Sequence, residues 1–543
     1  MSGPVVIFGL DGATYTVLDD LIARGVMPFL GTWQARGVRA ILESTTPPLT
    51  PPAWTTLVTG RSPGHHGVTN FLQFESTHSR FLRVVSSRSV RCETIWSIVS
   101  RQGLRAGCLN FAAHDPAPEF EGYCIPGWIT KKWVKSSSRP KGLIDRLKTR
   151  IPGFNVGELA VDFNEEKKAV AGAALAQYEP WVDLHIRRDR QWFEVLKHQM
   201  VNDPCHVVGI VLDGVDKLQH LLWHVLDPAL RPSTPDETHL RLQRLCDTYF
   251  RQIDGFLEET VRLSGGEATV LVVSDHGFTA STEILYINTW LERQGWLTWS
   301  KETEVVGEDS HVLGEGQQYH ATSIDMSRTL AYADSASSNG IHLPVRGERG
   351  EHGVAPDEYE VFRDEVRRRL LTECRDPDTG EPLVTAVWTR EEAFPGPCAE
   401  LAPDLTLQLR DHGFVSVLRG REMRKRRATP AGTHHPDGVF LAAGPSIRSH
   451  ETRALPRISL LDVAPTVLHL LGLEVPCDLE GRVVNELWKD SVLRERPPRI
   501  GPATTPPSRM LRPCDNAERL AGPGGQAPDE QILLRLRALG YME

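Results

Sequence analysis

Val5-Val6-Ile7-Phe8-Gly9-Leu10-Asp11 and Val270-Leu271-Val272-Val273-Ser274-Asp275-His276-Gly277 decide the fold of this chain. Each is an apolar, largely β-branched run that ends on an aspartate. Runs of this kind, bounded by glycine, read as strands of a parallel sheet buried on both faces. In an open α/β sheet, ligands bind in the crevice beyond the carboxyl ends of the strands. Carboxylates and an imidazole delivered there from distant parts of the chain pack poorly and ligate metals well, so a metal-dependent site is the first expectation.

Outward from these runs, strand and helix patterns alternate between about residues 4 and 278. A helix-like segment runs from Val17 to Ala23, and amphipathic stretches from Leu184 to Met200 and His239 to Leu263 precede apolar runs at Val207–Leu212 and Val270–Val273. This βαβ rhythm predicts a mostly parallel, doubly wound sheet. From 279 to 429 the texture changes to a polar loop (Lys301–Gln318), a hairpin signal at Asn339-Gly340, a charged helix (Glu358–Leu371) and a basic loop (Arg419–Arg427). It reads as an inserted cap subdomain. The strand Gly438–Ala442 and helix Asp462–Leu471 return to the core, giving a catalytic core of 1–278 plus 430–488. Residues 489–543 read as a Pro/Gly/Arg-rich linker and a terminal helix, Gln531–Leu539, stopped by Gly540.

The 543 residues are 40% hydrophobic and 24% charged, enough for one large core and a second lobe. A formal net charge of -9 argues against a nucleic-acid-binding surface. No apolar run reaches the length of a membrane span, and no charged-then-apolar leader precedes the first strand, so the cytoplasm is the expected location. The nine cysteines are scattered without a CxxC pair, which fits a reducing compartment and gives no thiolate zinc site.

Four segments carry candidate chemistry. In Leu49-Thr50-Pro51-Pro52-Ala53-Trp54, Thr50 sits at a helix cap with proline at the first helical position. Its hydroxyl either only caps that helix or faces an anion at the positive end of the helix dipole. Asp216 and His220 are four residues apart, which on a helix puts both on one face, suited to one ion; Asp213 competes but has Lys217 at its i+4 position. Asp275-His276 offers two adjacent ligands at a strand end, and Gly432-Thr433-His434-His435 stands just before a core strand. Asp11, Thr50, Asp216, His220, Asp275, His276 and His434 together form an all-N/O donor set that fits two zinc-like ions. Arg61 and the run Arg421 to Arg427 are candidate anion contacts, and Trp54, Phe71 and Trp128 a candidate apolar wall, whereas His65 and His66 read as structural.

The order of Leu10-Asp11-Gly12, Thr50-Pro51-Pro52-Ala53-Trp54-Thr55 with Val58-Thr59-Gly60, Pro63-Gly64-His65-His66-Gly67-Val68, Asp216 with His220, Ser274-Asp275-His276-Gly277 and Gly432-Thr433-His434 resembles the alkaline phosphatase superfamily. Within it the pattern is most similar to the type I phosphodiesterase/nucleotide pyrophosphatase group and its bacterial phosphohydrolase and phosphomutase relatives. The likeness extends through Asp462-Val463-Ala464-Pro465-Thr466 and Pro476–Arg482, so it covers about residues 4 to 488.

The resemblance implies an alkaline-phosphatase-like fold and two divalent ions. One would sit on Asp216, His220 and His434, the other on Asp11, Asp275 and His276. Thr50 would be the metal-activated nucleophile, and Asn70 would help hold a phosphoryl oxygen. Zinc is the expected metal, with manganese also suited to N/O ligands. The implied reaction is hydrolysis of phosphodiester or pyrophosphate bonds in a small phosphate-ester or nucleotide-like substrate, through a phospho-threonine. A phosphomutase or phospho-group transferase is the alternative on the same scaffold; a phosphomonoesterase and a non-catalytic binding protein come after it. A sulfatase is not expected, because there is no Cys/Ser-x-Pro-x-Arg motif from which a formylglycine could be made.

Overall fold

A computed structural model describes residues 3–74, 82–161, 178–300, 324–347, 352–449 and 455–504. The expected loop Lys301–Gln318, the terminal helix Gln531–Leu539 and most of the linker before it lie outside the described residues.

The elements that matter for function, in chain order, are β1 (Val5–Leu10), α1 (Tyr15–Ala23), β2 (Val38–Glu43), α2 (Thr50–Thr59), β3 (Ala106–Leu109), β4 (Gly122–Ile125), α3 (Glu179–Asn202) and β5 (Val207–Leu212). They continue with α4 (Gly214–Leu226), α5 (Glu237–Ser264), β6 (Thr269–Val273), β7 (Gly277–Leu285), β8 (Gly340–Ile341), α6 (Tyr359–Glu373), β9 (Val384–Thr389), β10 (Leu405–Leu409), β11 (Arg424–His435), β12 (Asp437–Ala443), β13 (Ile458–Ser459) and α7 (Val463–Leu470).

The central sheet has eight strands in the order β13-β2-β12-β6-β1-β5-β3-β4. β1 pairs in parallel with β5 (Val5 opposite Val207) and with β6 (Val5 opposite Thr269). Only β12 opposes the rest, lying antiparallel between β2 and β6. The alternation of side chains along each strand divides the interior in two. Val6, Phe8 and Leu10 join a core with Trp192, Leu218 and Phe250 of α3, α4 and α5. Val5 and Ile7 join the opposite core with Trp54, Leu57 and Leu468 of α2 and α7. The doubly wound α/β architecture expected from the two apolar runs is thus present.

Gly9 shows how close the layers come. A Cβ there would lie 2.6 Å from the Trp54 ring and 2.8 Å from the Ile210 carbonyl oxygen. The missing side chain in β1 is what lets α2 pack its indole directly on the strand.

The inserted segment adds local detail to the sequence reading. Around Asn339-Gly340 the chain does reverse, Tyr332 bridging antiparallel to His342, and β8 then pairs with β10, Gly340 opposite Thr406, while Asn339 takes φ 45°. The basic loop is partly strand, because β11 begins at Arg424 and forms a long antiparallel ribbon with β7. A third apolar cluster, including Trp290, Ile341, Val366, Val387 and Leu405, fills the segment between Leu285 and Val417. None of the described cysteines is paired. No described helix is long and apolar enough to cross a membrane.

Candidate metal centre

The parallel strands β1, β5 and β6 end at one edge of the sheet, and the aspartates that close them follow at once. Asp11 comes directly after β1, Asp216 lies in the first turn of α4 after β5, and Asp275 follows β6. β12 runs the other way, so its beginning lies at that same edge, and His434 stands just before it at the end of β11. Four segments remote in sequence therefore converge for a topological reason.

Asp11, Asp216, Asp275, His276 and His434 are buried. Asp11, Asp275 and His276 each offer an atom within 4.8 Å of the others, and so do Asp216, His276 and His434. Nε2 of His276 is 3.6 Å from Asp11 Oδ1 and 3.3 Å from Asp275 Oδ2. His220 adds to the second group, with Nε2 3.3 Å from Asp216 Oδ1 and 3.2 Å from His434 Nε2. The structure thus brings together all six expected side chains.

Backbone carbonyls engage the outer nitrogen of each ring, and the Nε2 atoms face the cluster. Nδ1 of His220 faces the Gly432 carbonyl at 3.2 Å, Nδ1 of His276 the Gly277 carbonyl at 3.1 Å, and Nδ1 of His434 the Pro48 carbonyl at 2.7 Å. A carbonyl can only accept, so each ring carries its proton on Nδ1 and turns an Nε2 lone pair inward. Burial holds His276 well below the usual histidine range and takes His434 to about 4, so both are neutral ligands.

The carboxylates fit a cation equally well. Neither oxygen of Asp11, nor Oδ2 of Asp275, meets a hydrogen-bond donor among the described residues. Burial raises Asp275 to about 8, and burial with Asp275 and Asp216 nearby pushes Asp11 well up. Orphaned buried acceptors of this kind are costly unless a cation satisfies them. Asp275 Oδ1 is fixed by the Gly12 amide at 3.1 Å. Gly12 has φ 68°, and a Cβ there would meet the Phe278 ring at 2.6 Å, so glycine is required at this turn.

Thr50 is fully buried, and its Oγ1 lies 3.4 Å from His276 Nε2. The helix starts one residue earlier than expected: Thr50 is its first residue and Leu49 takes the cap position with φ -123°. The two prolines that follow have no N–H to be capped, so the hydroxyl makes no cap bond and faces the ligand cluster instead. At the other end Gly60, φ 63°, closes the helix. Asn70 is also buried; its Oδ1 accepts from the Phe71 amide at 2.7 Å.

Other expected contacts are placed differently. Arg61 is held by Asp478 and Thr504, and Arg424 by Glu283 and Asp376. Trp54 belongs to the core, edge-on to Phe111, while Phe71 and Trp128 pack together at 5.5 Å. His66 is a buried structural residue bonded to Thr56 Oγ1 at 2.9 Å. His435 stands apart from the cluster and packs beside His412.

Sequence reading missed Lys217. Its buried ammonium sits 2.6 Å from Asp216 Oδ2 and 4.6 Å over the Trp128 ring. Asp216 therefore presents Oδ1 to the histidines and Oδ2 to a lysine. Burial alone would raise Asp216, but Lys217 and His220 outweigh it and hold the carboxyl well below the usual range. The available signal was a lysine directly beside Asp216, in the helix that also carries His220.

The model for type I phosphodiesterase/nucleotide pyrophosphatase matches residues 5–437. The chain belongs to this family. It is an enzyme of the phosphohydrolase class on the alkaline phosphatase fold. Among solved structures, phosphonoacetate hydrolase from Sinorhizobium meliloti 1021, in complex with phosphonoformate, is similar at 16% identity and TM-score 0.50, covering 87% of this chain and 96% of its own. Murine ectonucleotide pyrophosphatase/phosphodiesterase 5 in complex with AMP aligns at 14% identity and TM-score 0.52, covering 90% of this chain and 100% of its own. The human form of that protein aligns with the same values. No curated protein matches the chain.

Proposed function

We propose that the chain hydrolyses phosphodiester or pyrophosphate bonds of a small phosphate-ester or nucleotide-like substrate through a phospho-threonine on Thr50. The observation that carries the reading is the buried Thr50 hydroxyl beside His276, the residue common to two buried clusters of N/O donors.

Asp216, His220 and His434 would hold one divalent ion, and Asp11, Asp275 and His276 a second, zinc by ligand type, with manganese also suited. When bound, such ions lower the pKa of a coordinated hydroxyl and stabilise charge on the attacking and leaving oxygens of an in-line displacement. Thr50 Oγ1 forms a bond to phosphorus as the ester oxygen leaves with its electron pair. Water then attacks the phospho-threonine ester, its oxygen bonding to phosphorus as Thr50 Oγ1 leaves and takes up a proton, so that the phosphomonoester carrying the second arm is released and the hydroxyl is restored. Asn70 Nδ2 donates to a non-bridging phosphoryl oxygen during both steps. Two inversions give net retention at phosphorus.

Residues 279–429 would act as an insertion shaping the pocket for the second ester arm, on a core of 1–278 and 430–488. The test is a panel of bis(p-nitrophenyl) phosphate, p-nitrophenyl phosphate and nucleotide pyrophosphates on protein reconstituted with zinc or manganese. Metal-dependent turnover of diester or pyrophosphate, lost in Thr50→Ala, is the expected result. Turnover unaffected by that substitution would overturn the covalent route, and monoester preference would overturn the substrate class.

A further inference from the structure

Asn70 is oriented by a residue from the far side of the sequence. Its side-chain atom facing the Phe71 amide must be the oxygen, because a backbone N–H can only donate. The Ser337 hydroxyl meets that same Oδ1 at 3.0 Å and must donate as well. Ser335 Oγ lies 2.7 Å from Ser337 Oγ, and since the Ser337 proton is already committed, Ser335 donates to it. The result is a one-way chain from Ser335 through Ser337 to Asn70. Ser335 and Ser337 are each 1% exposed, so water does not compete for these bonds.

The loop that delivers Ser337 is itself fixed. Asn339 donates to the Gly413 carbonyl at 3.1 Å and accepts from the Val415 amide at 2.9 Å. With both donors on Oδ1, the Asn70 amide cannot rotate without losing two bonds. No described residue accepts from Nδ2, which leaves its two protons for a ligand.

We propose that Ser337 is a positioning residue: its hydroxyl locks the Asn70 amide so that Nδ2 meets a phosphoryl oxygen. The inference rests on the phosphohydrolase reading above. It makes the segment between β7 and β11 a working part of the phosphate pocket. A hydroxyl at 337 also serves in place of a backbone donor, so the polarity of one insertion side chain sets how firmly the phosphoryl group is held.

The test is calorimetric titration of inorganic phosphate into the full-length, metal-loaded protein, together with kcat and KM for a diester. Asn70→Ala should weaken phosphate binding about 10-fold, as expected for a lost charge-assisted hydrogen bond. Ser337→Ala should weaken it ~3–10-fold and lower kcat more than it raises KM. In the Asn70→Ala background the same substitution should have no further effect, and Ser337→Thr should restore binding. Ser337→Cys, close in size but a weak donor, should behave like the alanine variant and guards against a folding defect. Equal losses from Ser337→Ala with and without Asn70, or wild-type binding by Ser337→Ala and Ser337→Cys, would overturn the inference. Failure of the underlying reading looks different: the wild-type protein would then bind phosphate no better with metal than without.

Discussion

His276 and His434 stack almost face to face, ring centroids 3.6 Å apart and planes 21° from parallel. One follows β6 and the other ends β11, so the contact exists only because β11 and β7 pair, with His434 opposite Phe278. Two stacked imidazolium ions would repel, and burial already disfavours charge on both rings. The pair is therefore neutral, with each Nε2 turned toward the carboxylates of the cluster. The stack joins the cluster of Asp11 and Asp275 to that of Asp216 and His220, making one continuous array of buried N/O donors of the two.

Thr50→Ala should lower turnover of the best diester by at least ~10³-fold, the scale of losing a covalent nucleophile. The Thr50 hydroxyl faces His276 and not the α2 backbone, and Gly60 closes the far end of that helix. Metal content by atomic emission and the melting temperature should therefore stay near the wild-type values.

Lys217→Met separates the metal-free protein from the loaded one. Without metal, the Lys217 ammonium at 2.6 Å is the buried counter-charge of Asp216, and removing one partner of such a pair costs about 3–5 kcal/mol. With an ion on Oδ1, most of that loss is offset. The melting temperature of Lys217→Met should fall by several degrees after chelation and much less with zinc present. Equal falls in both states would mean that Asp216 does not meet an ion.

How far the sequence led is clearest at these residues. Asp11 and Asp275 were legible because a buried strand that ends in a carboxylate is a local signal. His434 was legible from its place before a core strand, but its arrival at the site depends on β12 running against the sheet, which no local pattern encodes. The start of α2 was one residue off because consecutive prolines suit either register. Arg424 read as a candidate anion contact within a basic run; only the fold reveals Glu283 2.7 Å and Asp376 3.0 Å away, within a strand. Lys217 and Ser337 were missed for the same reason. Their roles come from partners on other segments, and polar residues next to a motif carry no periodicity.

A second buried acid gives a pH prediction separate from the metal ligands. Burial and the nearby Asp213 raise Asp189 to about 8, and its Oδ2 accepts from the Tyr249 hydroxyl at 2.5 Å. In the unfolded chain this carboxyl titrates at ~3.9. Between those values the folded protein holds a proton that the unfolded chain has released, so this group's contribution is full below about 4 and is lost as pH rises through about 8. Asp189→Asn keeps an acceptor for Tyr249 and removes the titration. Urea melts from pH 5 to 9 should show a shallower decline in that variant, by up to ~1.4 kcal/mol per pH unit. Parallel curves would mean that Asp189 is ionised in the fold.

The two adjacent histidines offer the sharpest test of the ligand set. His434 is 1% exposed, with Nδ1 bonded to the Pro48 carbonyl and Nε2 3.3 Å from Asp216 Oδ1. His435, one residue on in β11, points to the other side as strand geometry requires, and its Nδ1 accepts from the Asp437 amide at 3.1 Å. His434→Ala should therefore bind one equivalent of zinc fewer than wild type and lose turnover by ~10²-fold or more, because ligation on Asp216 and His220 alone leaves a site short of donors. His435→Ala should keep both equivalents and nearly all activity, with a small loss of stability from the missing turn bond. Equilibrium dialysis against zinc reads the first difference directly. Loss of an equivalent in His435→Ala, with none lost in His434→Ala, would reverse the assignment and with it the register of β11 against β7.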